Sequence, residues 1–313
     1  MRVASLLPSA TEMVCALGLE PDLVGVSHEC DWPPSVVGRT VLTSAKIGHS
    51  WSSKDIDRDV RAVLRDALAV YDIDVAALAR VAPDVIVTQD LCDVCAVSFD
   101  DVCKAVAEIA LPGTVIVNLH PTRLSDVWDD IRKVGAATGR EHEAAQVVLD
   151  IERRLSELAR RASAIRTRLN VLTIEWIDPV MIGGTWMPEL VDIAGGRALV
   201  TQPGDHAPTL TREQLAALEP APDVVLVKPC GFSLERTRVE LDTLRALFRG
   251  MPWPAVQNGR VWLADGNAFF NRPGPRLVES AEILAACMHP TEFADLALRH
   301  HTGFEKLDVG WGT

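Results

Sequence analysis

Short apolar runs alternate along the chain with longer stretches in which apolar residues recur every three or four positions. The short runs are typical of buried strands, and the longer stretches are typical of amphipathic helices. Regular alternation of the two predicts parallel sheets whose strands are joined by crossover helices. A Ser-x-x-Glu capping box, Ser9 to Glu12, predicts the start of the helix that follows the first strand. The predicted strands are residues 2–7, 23–27, 84–89, 114–119, 170–176, 197–201, 223–228 and 260–265.

Two pairs of similar segments indicate an internal repeat. "EMVCALG", which starts at Glu12, resembles "ELVDIAG", which starts at Glu189, and "APDVIV" from Ala82 resembles "APDVVL" from Ala221. In each half, a helix that ends at a glycine precedes a strand that follows Pro-Asp. We therefore predict two related α/β lobes, while chance similarity between short segments stays the alternative. The predicted divisions are a lobe at 1–124 with an insertion at about 43–76, an interlobe helix at 125–168, a second lobe at 169–290 and a tail at 291–313.

The segment between the lobes has the clearest helical period. Its apolar residues follow a three-four spacing, and an unbroken helix from Arg140 to Arg166 would be roughly 40 Å long. Gly139 either breaks the segment or begins its second part. A rigid helix of this length between two lobes would limit hinge motion, whereas the alternative is an ordinary surface helix of the second lobe. The spaced residues are Ala144, Val148, Ile151, Leu155, Leu158, Ala162 and Ile165.

Charge and hydropathy limit which molecules the protein could bind and where in the cell it could be located. The net charge of −12 and the absence of a Lys/Arg block argue against nucleic acid, whose binding needs clustered cations. No stretch approaches 18 apolar residues, so we predict a protein that is not embedded in a membrane. The printed sequence begins directly with a strand, without a signal-peptide pattern. We therefore predict a cytoplasmic protein, or a periplasmic or cell-surface one if the true start lies upstream.

Cysteines follow several predicted strands. The chain has seven cysteines, an odd number in a large chain, which favours a metal or reactive role over a disulfide framework. Ligands of parallel α/β sheets bind beyond the carboxyl ends of the strands, where thiolates and an imidazole could hold zinc, iron or an iron–sulfur cluster. The alternatives are a redox Cys-x-x-Cys pair and simple packing of buried thiols. The candidate metal ligands are His28, Cys30, Cys92, Cys95 and Cys230.

Tryptophans and arginines occur in loops after the same strands. The stretch "NAFFNRPGPR" from Asn267 to Arg276 places two arginines around a Pro-Gly turn, which suits a carboxylate or phosphate. Pairing of these arginines with acids of the protein is the alternative. Loop tryptophans could form walls around a large flat ligand. The candidate ligand-binding residues are Trp32, Trp51, Trp176, Trp186, Phe232, Asn267, Arg272 and Arg276.

The opening "RVASLLPSATEMVCALGLEPDLVGVS" resembles that of the class III substrate-binding proteins of ABC importers, which carry cobalamin, haem and ferric siderophores. "PELVDIAGG" resembles the same pattern in the second lobe, and "SHECDWP", "DLCDVCAVS", "PCGF" and "NRPGPR" resemble the branch labelled cobalamin-binding protein. The resemblance covers residues 2 to 290. It implies two Rossmann-like lobes with parallel sheets, joined by one long backbone helix. It also implies a ligand held in the cleft between the lobes and an ABC permease as partner.

Two hypotheses of function follow. In the first, the chain is a binding protein rather than an enzyme, with no catalytic residues, and holds a corrinoid such as cobalamin or a related metal-centred ligand. In the second, it is a cytosolic enzyme on the same scaffold, in which a Cys-bound zinc or iron–sulfur centre activates a substrate. Glu29, Asp90 and Glu175 would then be the acid–base candidates. Absorption spectra and metal content distinguish the two hypotheses.

Overall fold

A computed structural model describes residues 1–46, 52–65, 71–89, 99–108 and 113–308. The chain divides into two compact units: Met1–Trp51 with Asp55–Ile151, and Ser52–Lys54 with Glu152–Thr313. Both units are α/β, as the alternating pattern predicts. Among the described helices, none has the length and apolar character that crossing a membrane requires.

The first unit contains a parallel sheet of strand order β2-β1-β5-β6 and a separate antiparallel pair, β3 with β4. The antiparallel pair falls in the predicted insertion. The strands are β1 (Val3–Ser5), β2 (Leu23–Val26), β3 (Thr43–Ala45), β4 (Tyr71–Ile73), β5 (Val85–Gln89) and β6 (Val115–Leu119). The helices are α1 (Pro8–Ala16), α3 (Val75–Val81), α4 (Phe99–Glu108) and α5 (Leu124–Thr138). Two further helices, α2 (Ser53–Arg65) and α6 (Glu141–Ser163), have residues in both units.

The second unit contains a mixed sheet rather than a purely parallel one. Its parallel centre, β9-β7-β11-β12, is extended by antiparallel strands at both sides. On one side β8 pairs with β7 and β10 pairs with β8, and on the other β13 pairs with β12. The strands are β7 (Asn170–Trp176), β8 (Val180–Ile182), β9 (Arg197–Ala198), β10 (Thr209–Leu210), β11 (Val224–Val227), β12 (Val261–Ala264) and β13 (Phe304–Lys306). The helices are α7 (Met187–Ile193), α8 (Arg212–Ala216), α9 (Leu234–Arg238), α10 (Leu241–Phe248), α11 (Pro254–Gln257), α12 (Leu277–Met288) and α13 (Ala294–Arg299).

The predicted interlobe segment, 125–168, contains two helices, and the second, α6, is the long helix predicted from Arg140 to Arg166. Gly139 ends α5 in the left-handed conformation, with φ of +66°, which glycine adopts without steric cost. Helix α6 then runs for 23 residues, about 34 Å, and the boundary between the two units falls inside it. The residues with the predicted three-four spacing are buried from Ala144 to Ala162, and Ile165 is partly buried beyond the end of the helix.

Helix α1 starts two residues earlier than the predicted capping box allows, since a cap at Ser9 would make Ala10 the first helical residue. Leu7 is the N-cap, in extended conformation, and Pro8 occupies the first helical turn. Proline is favoured there because its missing N–H has no partner in a helix anyway. Ser9 therefore lies inside the helix, and the capping-box prediction was wrong.

Within the second unit, ion pairs tie α6 to α12. Arg154 of α6 donates to Glu279 at 3.0 Å and to Glu282 at 2.9 Å, both on α12. Glu282 is buried and also lies 2.7 Å from Nε2 of His300. Burial opposes ionisation of this carboxyl, but hydrogen bonds from His300 and Arg154 outweigh it, so the pKa of Glu282 lies below its ordinary value.

Candidate functional site

The carboxyl edge of the first sheet is built around the loop after β2. Thr43 of β3 accepts a hydrogen bond from the His28 backbone at 3.1 Å, contacts His28 Nδ1 at 2.7 Å and donates to Ser27 Oγ at 3.0 Å. The rings of His28 and Tyr71 lie 5.1 Å apart, and the Tyr71 hydroxyl donates to Glu29 Oε1 at 2.9 Å. The antiparallel pair β3-β4 thus fixes the loop that carries the predicted His28 and Glu29.

The loop also carries Cys30 and Trp32, which have different exposure. Cys30 is buried, and its Sγ lies 3.0 Å from Thr11 Oγ1 of helix α1, which in turn donates to Ser5 Oγ. Trp32 is 44% exposed, a large apolar side chain in the loop that follows β2. An exposed indole of this kind is a surface on which a flat ligand could stack.

In the second unit, two aromatic rings lie beyond the central strands. Trp176 ends β7, and its ring lies 5.2 Å from that of Phe232, which follows β11. The Trp176 indole N–H donates to the Ser53 carbonyl at 3.2 Å. The guanidinium of Arg236 lies 4.1 Å from the Phe232 ring centroid, a cation–π contact, and also pairs with Glu240 at 3.6 Å.

The predicted arginine stretch forms an internally braced loop. Arg272 is buried and donates from Nη2 to Asn267 Oδ1 at 2.9 Å, and Arg276 stacks over the Phe269 ring at 4.7 Å. Asp265 accepts from the Asn267 and Ala268 backbone at 3.0 and 2.7 Å. Burial raises the pKa of the Asp265 carboxyl, against these bonds and the nearby arginines.

Trp186 lies in the interior of the second unit. Its side chain is 5% exposed, and its indole N–H donates to the Phe270 carbonyl at 2.8 Å. Phe270 itself has φ of +67°, a left-handed conformation that is unusual for a residue with a side chain. The hydrogen bond from Trp186 helps to hold that conformation, together with the one that the Ser280 hydroxyl accepts from the Phe270 backbone at 2.9 Å.

A buried lysine is the residue that the sequence reasoning missed. Lys228 follows β11 directly and is 1% exposed; its Nζ donates to Glu175 Oε2 at 3.0 Å and to Asn271 Oδ1 at 2.7 Å. Cys230, two residues later, is partly buried, and its backbone N–H donates to the Glu175 carbonyl at 3.0 Å. The available signal was a charged residue that directly follows the apolar run "VVLV".

The metal hypothesis is tested only for part of its ligand set. Cys92, Cys95, Asp90 and Trp51 lie outside the described residues. Within the described ranges, no group of three or more His, Cys, Asp or Glu side chains could hold a metal ion. The roles assigned to His28, Cys30 and Cys230 as metal ligands, and the zinc or iron–sulfur enzyme built on them, stay predictions.

Comparisons with known proteins agree with the fold. Residues 3–268 match the periplasmic binding protein family. YvrC, an ABC transporter substrate-binding lipoprotein of Bacillus subtilis, is 22% identical over 94% of this chain and 82% of its own. A vitamin B12-binding protein of Yersinia pestis is 23% identical over 94% of this chain and 89% of its own. The crystal structure of a periplasmic haem-binding protein from Pseudomonas aeruginosa superposes with a TM-score of 0.67, at 20% identity and 93% coverage of both chains.

The family match spans most of the chain and includes both α/β units. The structural superposition covers nearly all of both chains, so the likeness concerns the whole fold rather than one lobe. The chain therefore belongs to the periplasmic binding protein family, as a class III substrate-binding protein of the ABC-importer type.

Proposed function

We propose that this protein binds a corrinoid of the cobalamin type and delivers it to an ABC permease. The observation that carries the proposal is the aromatic character of the carboxyl edge in each unit, with Trp32 exposed in the first and Trp176 beside Phe232 in the second. The vitamin B12-binding relative from Yersinia pestis supports the choice of ligand. Large flat rings bury much apolar surface against tryptophan.

Isothermal titration of the purified chain with cyanocobalamin, haem and a ferric siderophore tests the proposal. We expect cyanocobalamin to bind with a dissociation constant of about 1 μM or tighter. Haem and the siderophore should bind at least about tenfold more weakly. Tight binding of haem without binding of cyanocobalamin would contradict the proposal, and so would binding of none of the three.

A substitution of the exposed tryptophan tests where the ligand lies. Trp32→Ala should weaken cyanocobalamin binding by about tenfold, because it removes one stacking surface of a size that contributes about 1.4 kcal/mol. The matched control is Val239→Ala, which shortens a side chain in the second unit that is 76% exposed. Equal affinity of the two variants would show that Trp32 does not contact the ligand.

The permease and the compartment complete the proposal. Family relatives include an ABC transporter substrate-binding lipoprotein, which supports a permease as the partner of this chain. Stimulation of the ATPase of the cognate permease by the ligand-loaded protein tests that partnership. Of the two predicted locations, delivery to an importer requires the periplasmic or cell-surface one, and the proposal includes that location. Recovery of the protein from the cytosolic fraction of source cells alone would contradict this part of the proposal.

A further inference from the structure

Lys228 carries a positive charge into the interior of the second unit. The side chain is 1% exposed, and its described side-chain contacts are Glu175 Oε2 at 3.0 Å and Asn271 Oδ1 at 2.7 Å. Removing an ammonium from water costs several kcal/mol unless an opposite charge and hydrogen bonds compensate it. Glu175 supplies the opposite charge, so the two residues form an ion pair.

Asn271 fixes the direction of this pair. Its Nδ2 donates to the carbonyls of Lys228 at 3.0 Å and of Gly266 at 2.8 Å, which leaves Oδ1 as the atom that faces the ammonium. Gly266 permits this arrangement, because a side chain there would collide with the backbone of Lys228 and Pro229. The Asn271 amide that binds the lysine is therefore held by two backbone carbonyls.

The two charges of the pair differ in access to solvent. The Glu175 side chain is 25% exposed, whereas the Lys228 side chain is buried. Within the described part of the chain, Glu175 Oε1 accepts no hydrogen bond, and Glu175 lies at the end of β7, beside Trp176. The strand end thus presents a carboxylate oxygen outward, while the compensating charge lies behind it.

The neighbouring arginines are engaged within the protein. Arg236 lies over the Phe232 ring and pairs with Glu240. Arg272 is buried and donates to Asn267. The local chemistry therefore favours a ligand group that donates hydrogen bonds and disfavours one that carries negative charge.

We infer that Glu175, held by Lys228 and Asn271, is a specificity-determining acceptor that binds a neutral N–H donor on the ligand edge and rejects a carboxylate. This inference rests on the proposed function and narrows it to ligands with uncharged amide side chains. A carboxylate is an acceptor only, so it can bind the N–H of a primary amide but repels another carboxylate. The periphery of cobalamin carries primary amides, whereas that of haem carries two propionates.

Cobalamin monocarboxylic acids, in which one peripheral amide is replaced by a carboxylate, provide the direct test. We expect at least one of the b-, d- and e-isomers to bind the wild-type protein at least about tenfold more weakly than cyanocobalamin. Glu175→Gln should reduce that difference to about twofold or less. Equal binding of cyanocobalamin and all three acids would overturn the inference and leave the proposed function intact, whereas failure of cyanocobalamin to bind would overturn both.

Two further variants separate recognition from folding. Glu175→Gln leaves the buried Lys228 ammonium without a counter-charge, which could disturb folding. The double variant Glu175→Gln/Lys228→Met removes both charges and should also lose the discrimination between cyanocobalamin and the acids. Asp242→Asn removes one negative charge from a fully exposed side chain of the second unit and should keep the discrimination between cyanocobalamin and the acids. Discrimination that persists in the folded double variant, or that disappears in Asp242→Asn, would contradict a role for Glu175.

Discussion

The carboxyl edge of the first sheet is held by hydroxyl groups, whereas that of the second sheet is held by a buried ion pair. In the first unit, the Thr43 hydroxyl connects Ser27 and His28 through neutral contacts. In the second unit, Lys228 and Glu175 form an ion pair at the ends of β11 and β7. A neutral hydrogen bond contributes about 1 kcal/mol, whereas breaking a buried ion pair leaves a charge without compensation. The two edges should therefore respond very differently to loss of one side chain.

The largest effect is expected from Glu175→Ala. The substitution leaves the Lys228 ammonium buried without its counter-charge, and we expect a loss of about 3 kcal/mol in the free energy of unfolding of the second unit. Partial exposure of Glu175 places this value at the lower end of the range for buried pairs. Urea unfolding followed by tryptophan fluorescence measures it. The double variant Glu175→Ala/Lys228→Met should regain most of the stability, and wild-type stability of the single variant would contradict the account of this edge.

A smaller effect is expected from Thr43→Val in the first unit. Valine has nearly the shape of threonine, so the change removes the contacts to His28 and Ser27 with little change in packing. We expect a loss of about 1–2 kcal/mol, measured in the same urea experiment. Thr114→Val, which removes one hydrogen bond to the Pro83 carbonyl, is the control and should cost less. A loss as large as that of Glu175→Ala would show that the two edges do not differ in the way described.

The smallest effect is a dependence on pH at the second edge. The pKa of Asp265 is raised in the folded state, so the folded state takes up a proton more readily than the unfolded state. The resulting stabilisation is complete when the pH is below 3.8, the ordinary pKa of aspartate, and is lost as the pH rises through the pKa of the folded state. Relative to Asp265→Asn, the wild-type protein should therefore become more stable as the pH falls through this acidic range. A difference that does not change with pH, or that changes in the opposite direction, would contradict the assignment.

The sequence predicted the main strands because each is a continuous apolar run between turn residues. All eight predicted strands are present, within one or a few residues at their ends. Strands β3, β4, β8, β10 and β13 were missed because each has two or three residues and does not lie in a longer apolar run, unlike the equally short β1. The sequence indicated that Gly139 either breaks the helical segment or begins its second part, and in the structure Gly139 ends α5 two residues before α6 begins.

The site was less predictable than the fold because its partners are distant in sequence. Lys228 meets Glu175 across 53 residues and Asn271 across 43, and only the folded sheet brings these side chains together. Side-chain exposure could not be predicted from the sequence either. Trp32 and Trp186 both occur in loop-like sequence, yet the first is exposed and the second is buried. Residue types indicated which chemistry was available, but burial and pairing decided how each side chain is used.

A crystal structure of the protein with bound cyanocobalamin tests the central claim most directly. The account predicts a corrin ring against the aromatic side chains of the strand ends, with a peripheral amide nitrogen about 3 Å from Glu175 Oε1. A corrinoid bound away from the carboxyl edge of the second sheet, or one that turns its phosphate rather than an amide towards Glu175, would contradict it.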